Sequence, residues 1–387
     1  MRPTDQLTRR GFLAATAGAL ALPALAVGQE KKPDLKKQTQ DSVKRGLDWL
    51  KKTQAQDGSW GASGGQYKSA MTGLAGMCFL MEGSTLKEGK YIEQVKKAVE
   101  WCVHPQRLQP NGLIADRQAG GAFDNYMHGH GYASMFLACA YGEAEDADEQ
   151  RKLEKAVTQS VEFTCKAQTK KKHKKPEGKE VEIGGWGYVS ADDGRNFDEG
   201  SVTISALQSL RAAKNATFKV PKENIDRAVN YLEACTTPKG GIIYSYTSAN
   251  GVAQNGQERP PLTAAAICCG FSAGQYNGEL PKKWIKYCKD NIPVAKGRVA
   301  HDEYQSYYQA QYMYALGEDR YGEMFSKEPK DSWLKWSKYR EVMFPYLIDQ
   351  QQKTGEWTSG YIGPVFATTV NLTILQLEKA LLPIYQR

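Results

Sequence analysis

The chain has 387 residues, 41% of them hydrophobic, and its 51 Lys and Arg against 43 Asp and Glu give a formal charge of +8. That apolar fraction supplies a sizeable core and sets the chain apart from disordered sequences. Much of the positive excess falls in the N-terminal segment, in Lys31 to Lys37 and in Lys170 to Lys175, with no basic stripe interleaved with aromatics, so nucleic-acid binding is not expected.

Thr8-Arg9-Arg10-Gly11-Phe12-Leu13 precedes an apolar run from Ala14 to Leu25 and a small-residue site, Ala24-Leu25-Ala26. This is the pattern of a twin-arginine export signal, with cleavage expected before Val27. Residues 1–26 are then a signal, 27–40 a linker and 41–387 one domain working outside the cytoplasm, in the periplasm or secreted. The run is short and Ala-rich for a membrane span, and nothing later approaches about 20 uninterrupted apolar residues, so no transmembrane segment is expected in the mature chain.

The rest of the chain reads as six helix pairs. They are Val43 to Gln54 with Ser69 to Met81, Tyr91 to His104 with Tyr126 to Tyr141, and Gln150 to Gln168 with Ser201 to Ala213 after a long insertion. Then come Pro221 to Cys235 with Pro261 to Ala273, Pro281 to Asn291 with Tyr304 to Leu316, and Trp333 to Gln352 with Val365 to Leu377. The first helix of each pair has a charged face, while the second, as in Thr263-Ala-Ala-Ala-Ile-Cys-Cys, is small and apolar nearly all round. A helix apolar on every side must be enclosed. Six such pairs closing on themselves make an all-α (α/α)6 toroid, with an outer ring of helices and an inner ring around a central cavity. Open helical solenoids are the alternative, but their repeats are shorter than the spacing here. Cys78, Cys139, Cys268 and Cys269 fall inside apolar helices, so buried free thiols are expected rather than disulfides.

The turns inside the pairs repeat. Gln54-Ala-Gln-Asp-Gly58-Ser-Trp60 returns as Gln351-Gln-Lys-Thr-Gly355-Glu-Trp357 and is echoed by Gly184-Gly185-Trp186, while the second pair has Ile114 where the Trp would stand. A Gly permits a positive-φ turn, the Trp buries a large ring between neighbouring pairs, and the Gln amide reaches orphan backbone groups at helix ends. This resembles the QW repeat of squalene/hopene cyclases, whose wider superfamily includes protein prenyltransferase β-subunits. The resemblance covers essentially the whole mature chain and implies the toroid, with its chemistry at the mouth where the inner helices begin.

Four groups lie at such positions. Gly184-Gly-Trp-Gly-Tyr188 leads through Asp192-Asp193-Gly-Arg195 to Asp198-Glu199-Gly-Ser201. It looks like the cyclase segment that ends in an Asp-x-Asp-Asp acid, but only Glu199 falls on the acid's position and the flanking carboxylates are missing. Glu199 also reads as a helix-capping residue. The second pair carries Tyr126-Met-His128-Gly-His130-Gly131. Its histidines, at i and i+2, diverge on a helix and so suit cavity hydrogen bonding or acid/base work better than a shared metal. Asp302-Glu303-Tyr304-Gln305 resembles the prenyltransferase zinc-ligand helix, but Gln305 replaces its His and no Asp-x-Cys pair exists. Finally Tyr304, Tyr307, Tyr308 and Tyr361 offer aromatic walls.

Expected catalytic residues are therefore Glu199, His128 and His130, and expected ligand-binding residues are Asp198, Arg195, Tyr126, Trp186, Tyr304 and Tyr308. No metal and no cofactor are expected. The expected partner is a hydrophobic or amphipathic small molecule, such as an isoprenoid, handled by acid/base chemistry. A non-catalytic module that binds a ligand or a protein partner is a second reading. A carbohydrate-active toroid is the third, and it would need two carboxylates facing each other about 5 to 9.5 Å apart.

Overall fold

The computed structural model describes residues 34–116, 125–142, 147–193, 197–246, 256–296, 302–358 and 360–386. The signal segment and Arg195 lie outside them. The unit that begins at Leu35 contains twelve α-helices among the described residues. They run in six pairs: α1 (Leu35–Thr53) with α2 (Lys68–Glu82), α3 (Ile92–Val103) with α4 (Met127–Tyr141), and α5 (Ala147–Lys166) with α6 (Gly200–Asn215). The others are α7 (Lys222–Ala234) with α8 (Pro260–Ser272), α9 (Glu279–Asn291) with α10 (Asp302–Met324), and α11 (Trp336–Asp349) with α12 (Pro364–Gln376). Helix α1 begins within the segment read as a linker. Helix α10 runs past the expected end through a break at Gly317, whose φ of 62° only glycine adopts easily.

Burial separates two rings. Helix α1 buries one stripe, Ser42, Val43, Gly46, Leu47 and Leu50, whereas α2 buries every residue from Ser69 to Met81 and α8 every residue from Leu262 to Phe271. The fully buried set is the inner ring, in the order α2, α4, α6, α8, α10, α12, with α12 packed back on α2. Close approach in this ring needs small residues. A Cβ at Gly76 would lie 2.4 Å from Phe136 of α4, and one at Gly131 would lie 2.9 Å from Ser205 of α6.

The turns are built to one plan. The Trp60, Trp186 and Trp357 backbone N–H groups donate to Thr72, Thr203 and Thr368 of the following inner helix at 3.1, 3.0 and 3.0 Å. Their indole N–H groups donate to the carbonyls of Leu50, Thr164 and Leu347 near the end of the preceding outer helix at 2.8, 2.7 and 2.7 Å. The glutamines fasten each turn to the next outer helix. Gln54 donates to Gly58 and Gln94 carbonyls, Gln168 to Gly184 and Asn224, and Gln351 to Gly355 and Ser42. The last of these bonds joins the sixth pair to the first.

Gly58 and Gly355 have the expected positive φ, and Gly112 and Gly240 supply it in the second and fourth turns. The third turn departs from the expectation. Gly184 is needed there for closeness, because a Cβ would fall 2.0 Å from the Thr169 carbonyl oxygen. The insertion between α5 and α6 holds a two-stranded antiparallel hairpin, β1 (Lys171–Lys174) with β2 (Glu180–Ile183), where no strand is expected from the sequence.

Candidate functional site

Glu199 is the N-cap of α6 and is fully buried. Its carboxylate accepts from the Ser201 and Val202 N–H groups at 2.9 and 2.7 Å and from the Ser201 hydroxyl at 2.6 Å. Three donors aimed at one carboxylate make Glu199 the cap of the first turn of α6. Above it sits His128, whose Nε2 is 2.9 Å from Ser201 Oγ and 3.8 Å from Glu199 Oε1. The His128 side chain keeps 30% of its surface exposed. Burial of the ring pulls its pKa below the usual histidine value, and the Glu199 charge opposes that pull.

Tyrosines surround the pair. The Tyr188 ring lies 5.9 Å from His128, and its hydroxyl is bonded to that of Tyr244. The Tyr132 hydroxyl is 3.3 Å from that of Tyr308, whose ring meets Tyr304 edge-on at 4.8 Å. Burial raises the phenols of Tyr132, Tyr188, Tyr244 and Tyr304, and the Glu199 charge raises each further. One buried carboxylate therefore acts on phenols carried by α4, α10 and two turns. Tyr188, Tyr244 and Tyr304 are only half-buried, as is His128.

The other expected site residues have structural partners. His130 is fully buried. It accepts from the Ile114 N–H at Nδ1, 3.1 Å, and meets Thr164 Oγ1 at Nε2, 2.9 Å. The degenerate second turn thus uses His130 where the Trp turns use threonine, and this ring faces the outer shell, not the mouth. Asp198 is buried and ion-paired with Lys171 of the hairpin, with Thr169 at 3.3 Å. Tyr126 is bonded to Asp193 and accepts from the Ser190 N–H at 2.8 Å, which holds the loop after Trp186. Trp186 is a turn residue. Of the nine expected residues, His128 and Glu199 lie 3.8 Å apart, Tyr304 and Tyr308 pack at 4.8 Å, and the Glu199 charge reaches Tyr304.

Sequence reasoning missed Ser201, Tyr132, Tyr188 and Tyr244 as members of the cluster. Tyr132 had a readable signal, because it stands four residues after His128 and therefore on the same helix face, as Tyr308 does after Tyr304. Tyr188 and Tyr244 had one too, because each stands two residues after the residue whose N–H donates to the inner-helix threonine, Trp186 to Thr203 and Ile242 to Thr263. Among the described residues no group of three His, Cys, Asp or Glu is placed to hold a metal ion. None of their helices is long and apolar enough to cross a membrane.

The fold is an (α/α)6 toroid. The α-1,6-mannanase GH76A of Salegentibacter sp. HEL1_6 superposes with a TM-score of 0.58 at 10% identity, over 90% of this chain and 100% of that one. The type II terpene cyclase MstE from Scytonema superposes at 0.53 with 13% identity, over 90% of this chain and 100% of its own. No family model matches the chain. No curated protein matches its sequence either. At these identities the likeness is one of fold.

Proposed function

We propose that this toroid binds an amphipathic small molecule at the mouth of its inner ring and uses His128 to accept and return a proton. The observation that supports this is the His128, Ser201 and Glu199 cluster. Histidine is the side chain whose charge changes near neutral pH. Its lowered pKa leaves it neutral and able to take a proton at pH 7, and a carboxylate 3.8 Å away stabilises the imidazolium once formed. The arrangement is not a Ser-His-Asp triad, because the carboxylate and the serine lie on the same ring nitrogen. Ser201 instead links the other two, and Glu199 is a positioning group. The half-buried tyrosines offer ring faces to an apolar skeleton and hydroxyls to its polar end. The same fold holds merosterolic acid A in one solved cyclase and α-1,6-mannotriose in one solved mannanase, so the skeleton could be of either kind.

Two measurements test the reading. With only five histidines in the chain, NMR titration resolves His128, and Glu199→Gln should lower its pKa because the charge that opposes burial is removed. Native mass spectrometry of protein from its own host should show a bound small molecule that is lost in His128→Ala and Tyr188→Ala. A ligand-free protein whose His128 ignores the Glu199 change would leave the non-catalytic module as the better account.

Export is the second part of the proposal. All eight cysteines are free, six of them buried, which suits a chain that folds before it meets an oxidising compartment. Replacing Arg9 and Arg10 by Lys should hold uncleaved precursor in the cytoplasm, and normal secretion of that variant would refute the route.

A further inference from the structure

The chain does not stop when the ring is complete. After α12 it makes a short helical turn, Leu377–Lys379, on the end of the ring away from the mouth, where Gln376 donates to the Cys78 carbonyl at 3.2 Å and Lys379 to the Glu82 carbonyl at 3.3 Å. Ala380 then adopts a left-handed conformation, φ 50°, which turns the chain inward. A second short turn, Pro383–Tyr385, packs on α6. In the ring order α6 stands opposite α12, so this tail crosses the far end of the ring from one side to the other.

Its tip is built in. Leu377, Leu382 and Tyr385 are buried, and the Tyr385 hydroxyl is 2.9 Å from that of Tyr307 on α10. The phenol is also within electrostatic reach of Cys139, Cys78 and Tyr132, which belong to α4 and α2. Tyr307 packs edge-on against Tyr308 at 5.0 Å, the same Tyr308 that meets the mouth residues. One residue from the C-terminal tail therefore stands on the axis beneath the tyrosine layer.

We infer that the segment from Leu377 to Gln386 is a stopper that closes the far end of the ring, so that the axis opens at the turn mouth alone and Tyr385 is the floor beneath any ligand. The ligand clause rests on the proposed function, but the stopper does not, and its test needs no ligand. Cys78, buried, and Cys139, half-buried, serve as reporters, since covered thiols react slowly and gain reactivity as water reaches them.

Native labelling by iodoacetamide, read peptide by peptide, compares the full chain with Tyr385→Ala. Labelling of Cys78 or Cys139 should rise about tenfold while Cys102 and Cys288, buried in outer helices α3 and α9, keep the parent rate. Tyr385→Phe keeps the stopper's shape and loses only its bond to Tyr307, so its labelling should stay near the parent's. Unchanged Cys78 and Cys139 in Tyr385→Ala would overturn the inference. A parallel rise at all four thiols would do so too, because it would make the tail a general stabiliser. A truncation after Lys379 should match Tyr385→Ala if it folds, and Tyr385→Ala decides the matter if it does not. If the stopper holds but no small molecule binds at the mouth, the proposed function fails and this inference stands.

Discussion

His128 and His130 stand two residues apart on α4, and the helix sends them to opposite fates. A 200° rotation between them, about twice the 100° per residue of an α-helix, turns one toward the mouth and the other into the shell. His130 accepts from a backbone N–H at Nδ1, so its proton sits on Nε2 and the ring is neutral. Burial lowers its pKa to about 4. The unfolded value is near 6.5, so between those two values the unfolded chain binds the extra proton and the native chain does not. The contribution is fully present above pH 6.5 and is lost as pH falls toward 4, by about 3 kcal/mol in all. His130→Thr would restore the acceptor that the Trp turns use, at a cost of about 1 to 3 kcal/mol at pH 7 for the vacated volume. Urea melts at pH 7 and pH 4.5 should show a smaller acid loss in that variant than in the parent. An equal loss would mean that His130 titrates normally in the folded state.

At the scale of elements, the outer and inner helices were legible because burial leaves different marks on them: one apolar stripe in α1, small apolar residues on every face of α8. The Trp turns were legible because a glutamine and an indole need particular places to reach particular carbonyls. The hairpin was not, since its strands are four residues each, the first has no apolar residue, and the alternation of Glu180-Val-Glu-Ile183 in the second is too short to stand out. Half of the candidate site was hidden for a related reason. Capping, packing and catalysis can all place a polar residue at the start of an inner helix, and only the finished ring shows that Trp186 and His130 serve turns while Glu199 and His128 meet. The glutamines should differ in energetic weight. Gln168 is 2% exposed and also accepts from Asn224 and Arg227 at 2.8 and 3.1 Å, so Gln168→Ala leaves several buried groups unpaired. It should cost about 2 to 4 kcal/mol, against about 1 kcal/mol for Gln54→Ala at a half-buried position. Denaturant midpoints at constant m-value check the order, and equal costs would contradict the stapling role.

For the whole ring, the decisive contact is between the first and sixth helix pairs. Ser42 and Arg45 of α1 donate to Gln351 Oε1 at 2.7 and 2.6 Å, and a Cβ at Gly46 would come within 2.8 Å of Leu372 and 3.1 Å of Trp357. Cys78 of α2 lies 3.4 Å from the Thr369 carbonyl of α12. These residues are about 300 positions apart, and pairing them lets every inner helix have two inner neighbours. A solenoid of five pairs would keep its local contacts but leave the apolar flank of α2 and the Gly46 side of α1 in water. Its stability would then be a sum of neighbouring terms rather than one cooperative unit. A chain ending at Ser332, which loses α11, α12 and the tail, should therefore melt broadly and bind a hydrophobic dye, and Trp357→Ala in the full chain should cost about 3 to 5 kcal/mol through the same seam. Calorimetry of the shortened chain separates the two cases. A sharp transition near the parent temperature would mean that five pairs are a folding unit by themselves and that closure of the ring follows from folding instead of driving it.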